Sequence, residues 1–235
     1  VIIMRILSFI IAIFIGTTAN AEILTVNYEG EAYSLDDKVL LYREVHTLII
    51  DNDMPISREV DYIDPDGKVI AHKTSTYKGT PTTPDFELTD FRDGYQESAE
   101  ADNKKRILSV KENTDSPVSI KSLDKPEYTT VVDAGFDEFV REQWQGLLTG
   151  KTATFSFAAP ARLEYIDFRL IPIRQDDTTL TVEMRLKSRW ISWLLDPIQL
   201  TYDLTSQRLL RYKGLTNLRD DQGNGINAEI VYRYP

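Results

Sequence analysis

Strict alternation of apolar and polar residues runs through the last third of the chain. Leu180, Val182, Met184 and Leu186 alternate with Thr181, Glu183, Arg185 and Lys187. Ile198, Leu200, Tyr202 and Leu204 repeat the rhythm, and Ile226, Ala228, Ile230, Tyr232 and Tyr234 close the chain in it. A period of two puts one set of side chains on a core and the other in water, which means antiparallel strands with one buried face. The spacing predicts strands over 152–157, 162–174, 179–187, 198–204, 208–213 and 226–234. Pro172 marks an edge or a bulge near the end of the second, because proline cannot donate to a ladder. Earlier in the chain, 28–33, 39–50, 56–63 and 68–77 form a meander, turned at Asp36-Asp37, Asp51-Asn52-Asp53 and Asp64-Pro65-Asp66-Gly67. In the last of these Pro presets φ and Gly supplies a positive φ. The segments 86–88, 94–99, 106–111 and 118–123 are shorter and less apolar, as a sheet edge or a partly solvated wall would be. GTPTTP, at 79–84, reads as a loop.

One stretch breaks the period. In DAGFDEFVREQWQGLLTG, residues 133–150, Phe136, Phe139, Val140, Trp144, Leu147 and Leu148 fall at helical spacing on one face. Asp137, Glu138, Arg141, Glu142 and Gln145 take the other. Asp133 is placed to cap the first turn, and Gly150 to supply a left-handed stop. The result is a helix over 134–149. About a dozen strands, one helix and no βαβ rhythm exclude a parallel α/β fold. The pattern predicts a mainly β (α+β) domain, a large curved antiparallel sheet or half-barrel with the helix on its concave face. A β-sandwich is the alternative. A lone helix covers only one face of a sheet, so its Phe and Trp side chains form either core or the lid of a cavity. Core is expected for most of them, with Trp144 the exception.

Composition adds a destination. The first residues, VIIMRILSFIIAIFIGTTANAE, have the form of an export signal. Arg5 is followed by an apolar run over 6–15, shorter than the roughly 20 residues a membrane helix needs. Ala19-Asn20-Ala21 then offers a cleavage site. Cleavage after Ala21 would leave 22–235 as a single domain with no stable membrane span. With no cysteine, the chain cannot be lipidated there and has no disulfides. An exported domain of that kind rests on its core alone and suits a bacterial periplasm. The net charge of −10, without a Lys/Arg cluster, argues against nucleic acid and against electrostatic docking on anionic lipid.

Few residues announce chemistry. Tyr42, Glu44 and His46 share one face of their strand, and a Glu and a His one pleat apart could serve as the acid/base pair of a hydrolase or lyase. The bland alternative is a polar row on a solvated sheet face, with Glu44 paired to Arg58 or Lys73 across the ladder. No G-x-S-x-G elbow or S-x-x-K motif accompanies the trio. The two histidines, His46 and His72, lack metal-binding spacing. Asp220-x-Gln222-x-Asn224-Gly225 opens like a calcium loop but has Val231 where a bidentate Glu is needed, and reads as a hairpin turn. No phosphate loop is present, and no metal or other cofactor is expected. Trp190 and Trp193 stand close together before Pro197, and either close the core or line an apolar mouth.

Two stretches carry a resemblance. LLYREVH…SREVDYIDPDGKVIAHK and TYDLTSQRLLRYKGLTNLRDDQGNGINAEIVYRY resemble a group of uncharacterised exported bacterial proteins. In architecture these look like the curved-sheet, helix-plugged periplasmic lipoprotein carriers LolA and LolB. That shape implies a cavity for acyl chains. The resemblance rests on pattern, so no functional residue is carried over one by one. The carriers begin with a helix where this chain begins with a strand, and LolB is lipidated where this chain has no cysteine. The expectation is a non-enzymatic periplasmic protein holding an apolar or amphiphilic ligand between sheet and helix. Phe136, Phe139, Val140, Trp144, Leu147, Trp190 and Trp193 would be its walls. The alternatives are an envelope protein-interaction module docking through a sheet edge, or a hydrolase using Tyr42, Glu44 and His46.

Overall fold

The computed structural model describes residues 23–188 and 196–235. The expected export signal and the Trp190/Trp193 pair therefore lie outside the described residues. Within them, fifteen strands make one continuous sheet. Strands β1 (Ile23–Ser34), β2 (Leu40–Asp51), β3 (Met54–Ile63) and β4 (Val69–Thr76) follow one another by hairpins. They continue through β5 (Asp85–Asp90), β6 (Gln96–Asp102) and β7 (Lys105–Lys111) to an edge at β8 (Ser119–Leu123). The chain then crosses to the opposite edge as β9 (Thr129–Val131) and enters the helix, α1 (Gly135–Leu148). It returns through β10 (Ala153–Ala159), β11 (Glu164–Gln175), β12 (Thr179–Leu186), β13 (Ile198–Asp203), β14 (Leu209–Arg219) and β15 (Gly225–Arg233). β15 pairs with β1 in the middle of the sheet. Every pairing is antiparallel except β9 with β10.

The meander, the curvature and the single helix match the half-barrel expected from the pattern. The strand that the pattern missed is β9, whose three residues are too few to show a period. Pro172 sits at a register shift against β12 inside the sheet, so a bulge accommodates it. The Asp220 hairpin is an Asx turn, its carboxylate accepting the backbone N–H of Gln222 and of Asn224.

The two wings of the sheet curl until they meet. A single 3-10 turn, Pro160–Arg162, lies against β6 and β7. Ala158 and Val132 join Leu88 and Leu108 in one apolar cluster. Arg106 of β7 donates to the Thr83 carbonyl at 3.1 Å and to Asp85 at 2.9 Å, securing the loop beneath the helix. A second cluster centres on Phe155, with Phe139 at 4.9 Å, Phe136 at 5.5 Å and Phe168 at 5.8 Å between ring centroids. Burying each such side chain contributes about 1.5–3 kcal/mol before entropy is counted. Among the described residues no helix is long and apolar enough to cross a membrane.

The helix departs from expectation at its start. Ala134, not Asp133, occupies the N-cap, with no side-chain cap. Asp133 adopts a φ of +38° and turns its carboxylate inward, 2.9 Å from the Lys73 ammonium. A buried cation outcompetes the backbone N–H groups that the cap would have satisfied. Asp137, expected on the outer face, also points inward. On a helical wheel it falls between Trp144 and Leu148, at the border of the apolar stripe, and Arg58 draws it in at 3.2 Å. Gly135 makes the docking possible, because a Cβ there would stand 2.2 Å from the Thr82 carbonyl oxygen. The helix ends as expected. Gly150 has a φ of +81°, and Lys151 N–H bonds to the Gly146 carbonyl.

Candidate functional site

Between the two apolar clusters lies a cavity of about 410 Å³, within the range of small-molecule pockets. Its floor is built by strand alternation. β2 turns Tyr42, Glu44 and His46 inward. On β3, in the same phase, Tyr62 stands opposite Glu44 and Arg58 opposite Leu48. On β4, Lys73 stands opposite Val60. The solvated polar row expected here is absent, since Glu44 and His46 are each only 6% exposed. The reason is curvature: the sheet wraps around this face and the helix lies across it.

The expected ladder pairing of Glu44 with Arg58 or Lys73 does not form. Both cations reach up to the helix, Arg58 to Asp137 at 3.2 Å and Lys73 to Asp133 at 2.9 Å. Glu44 instead bonds through Oε2 with His46 Nε2 at 2.9 Å and accepts the Tyr232 hydroxyl at 3.0 Å. Gly30 permits the second contact. It lies on β1 between Tyr232 and Glu44, and a Cβ there would come within 2.8 Å of the Tyr232 ring. Bare backbone lets that ring lean across one strand to reach the next.

The electrostatics follow from enclosure. Burial pushes the His46 pKa down, against the pull of Glu44, so the ring is neutral at physiological pH. A neutral ring bonded to a carboxylate through Nε2–H presents Nδ1 as an acceptor, and Nδ1 has no partner among the described residues. Tyr28 stacks on the imidazole at 4.3 Å, nearly parallel, and fixes its plane. Burial also opposes the charge on Lys73, but Asp133 outweighs it and raises the ammonium pKa. For Asp133 burial favours the neutral acid, yet Lys73 and its hydrogen bonds hold the carboxyl below its ordinary range. Close by on β6, burial raises Glu97 to about 7 despite the Tyr95 hydroxyl bonded to it at 3.0 Å.

The opposite wall is apolar. Phe168, Met184, Ile198, Leu200 and Leu209 face the cavity from β11 to β14, and Phe136 joins them from the helix. Arg162, Arg185 and Asp196 also line it. Arg162 is paired to Glu164 at 2.8 Å and Arg185 to Glu183. Among the described residues no group of three or more acidic or imidazole side chains is placed to hold a metal.

The predicted residues divide accordingly. Glu44 and His46 line the cavity, whereas Tyr42 is buried edge-on against Tyr62 at 5.8 Å and does not. Of the predicted apolar wall, Phe136 lines the cavity. Phe139, Val140, Trp144 and Leu147 are packed in the second core cluster. Trp144, the expected exception, meets Tyr202 edge-on at 6.2 Å and is core like its neighbours. Arg58, Lys73, Asp133 and Asp137 were not singled out as lining residues. A signal for the first two existed. Arg58 shares the inward phase of Val60 and Tyr62, and Lys73 that of Ala71 and Ser75.

No family model and no curated protein matches the chain. Among solved structures it is similar to the crystal structure of a β-barrel-like protein of the domain of unknown function DUF1849 from Brucella abortus. The identity is 8% and the TM-score 0.52, over 91% of this chain and 100% of that one. At that identity the likeness concerns the fold, and it places this chain among open, curved, barrel-like β-sheets, with a bacterial protein as its neighbour.

Proposed function

We propose that this chain is a non-enzymatic binding or carrier protein for an apolar or amphiphilic molecule held between sheet and helix. The observation that carries the reading is the two-sided lining of the cavity. One wall is aliphatic and aromatic, and the floor opposite holds charged and hydrogen-bonding groups. A ligand with an apolar body and a polar end satisfies both sides, whereas water alone leaves the apolar wall poorly solvated. With the export signal expected at 1–21, the reading becomes that of a periplasmic carrier, and the expected resemblance in pattern to LolA and LolB supports it.

The hydrolase reading has less support. Tyr42 is packed away from the cavity, and no serine lines it among the described residues. An interaction module has one observation in its favour. The edge strand β8 is exposed along most of its length, with Ile120 at 66%, and a free edge can accept a partner's strand.

Native mass spectrometry of the purified protein tests the ligand reading, paired with uptake of the apolar dye 1-N-phenylnaphthylamine. The expected result is a non-covalent amphiphile adduct, or dye uptake by stripped protein that Leu200→Trp abolishes by filling the apolar wall. A protein with no adduct and no dye uptake would move the weight to the edge of β8.

A further inference from the structure

If the cavity is a ligand site as proposed, its floor also selects the polar end of the ligand. We infer that the floor takes a head that donates hydrogen bonds and carries no negative charge, either a hydroxyl-rich head or an ammonium, and rejects anionic heads.

The argument starts from the ionised groups facing the cavity. Each of the two floor cations is already committed to a carboxylate of the helix start, Arg58 to Asp137 and Lys73 to Asp133. The two arginines that line the cavity beside the apolar wall are likewise paired, to Glu164 and Glu183. Asp196 adds a further carboxylate to the lining. Glu44 is different. Its partners are the neutral His46 and the Tyr232 hydroxyl, and among the described residues no cation pairs with it. The floor therefore holds one more carboxylate than cation. An anionic head entering this space would lose its hydration and find each cation described in the lining already paired with a carboxylate, with Glu44 repelling it.

The hydrogen-bonding inventory points the same way. Both bonds made by Glu44 fall on Oε2, which leaves Oε1 for a donor. His46, more than nine-tenths buried, offers Nδ1 as an unpartnered acceptor. Thr216 also lines the cavity, and Arg58 Nε is one donor without a partner among the described residues. Acceptors facing a hydroxyl-rich head would all be satisfied, because each hydroxyl both gives and takes. An ammonium would satisfy Glu44 and His46 and restore neutrality. A carboxylate has no donor to offer either of them, and a phosphate monoester at most one P–OH, at the cost of its charge facing Glu44.

A competition experiment separates these cases. Decyl glucoside, decylammonium, decanoate and decyl phosphate, each below its micelle concentration, compete with bound 1-N-phenylnaphthylamine at neutral pH. Decyl glucoside, decylammonium or both should displace the dye at concentrations at least about ten-fold lower than either anion, a discrimination of roughly 1.4 kcal/mol. Glu44→Gln should shrink the gap between decylammonium and decanoate. Asp137→Asn, which keeps the shape of that side chain and frees Arg58, should shift the preference toward decanoate and serves should the first variant not fold. Equal displacement by all four, or preference for the anions, overturns the inference and leaves the binding reading standing. Failure of every amphiphile to displace the dye, or of the dye to bind, in a protein that also shows no amphiphile adduct by native mass spectrometry, overturns the binding reading itself.

Discussion

Replacing Lys73 with Met tests how the helix start is held inside the sheet. Lys73 and Asp133 meet at 2.9 Å with both side chains only 9% exposed. Met matches the aliphatic stem of Lys but leaves Asp133 as an unpaired carboxylate in an enclosed site. Breaking one side of a buried pair costs about 3–5 kcal/mol. Here Asp133 keeps Ser75 and Asn217 as donors, each at 3.3 Å, so the expected loss lies near the lower end, about 3 kcal/mol at neutral pH. For a domain of this size that lowers the melting temperature by roughly 6–12 °C and the urea midpoint by about 1 M. Tryptophan fluorescence reads the transition through Trp144, which is packed against Tyr202 in the folded state. The pH dependence carries a sign. In the wild type the Asp133 carboxyl is held below its ordinary range, so its contribution is present above the unfolded pKa and is lost as pH falls through the folded one. Without Lys73, burial is opposed only by the remaining hydrogen bonds and by Arg58, so that pKa rises and the variant recovers part of its deficit as the solution is acidified. The double variant Lys73→Met/Asp133→Asn should regain most of the loss, because no charge is left stranded. A single variant within about 0.5 kcal/mol of wild type, or a double variant no more stable than the single, would refute the reasoning.

Two further outcomes follow from the same interior. Gly30→Ala forces the Tyr232 ring off the Glu44 carboxylate and should cost about 1–3 kcal/mol in urea denaturation, with a matching change in amphiphile competition if Glu44 anchors the ligand. Glu97, pushed up to about 7 by burial, keeps its proton in the folded state over a window where the unfolded chain has lost it. Stability should therefore fall by about 1–3 kcal/mol as pH rises from about 5 to about 8, and Glu97→Gln should flatten that slope; an unchanged slope would remove Glu97 from the account.

The period of two was a reliable guide to the sheet because each strand has one face on the core, and that constraint is local. It predicted β2, β3, β4, β12 and β13 within a residue or two at each end. The same period placed Glu44 and His46 on one face, but it could not say whether that face met water or a cavity. That depends on the curvature of the whole sheet and on the loop at Thr82, which lets the helix descend onto it. The charges were harder still. Asp133 and Asp137 obey local rules for a cap and a helix border, and long-range partners on β3 and β4 override both. Trp144 was expected at a cavity, yet the second apolar cluster takes it in, with Tyr202 edge-on against it.

The meeting of β1 and β15 at the centre of the sheet constrains the order of assembly. Hairpins from β1 to β8 can close one after another as the chain emerges, since each partner is the next strand made. The far side of β1 has to wait for the last strand of the chain, which pairs Ala228 to Arg233 with Ser34 to Glu29. That closure carries by far the longest sequence separation among the strand pairs and belongs at the slow end of folding. Until it happens, a half-made chain carries an open edge in what will become its middle, and Glu29 and Glu31 along that edge discourage wrong partners. Truncation at the C-terminus therefore removes the keystone of the sheet, while the outermost strands, β8 and β9, are made midway through the chain.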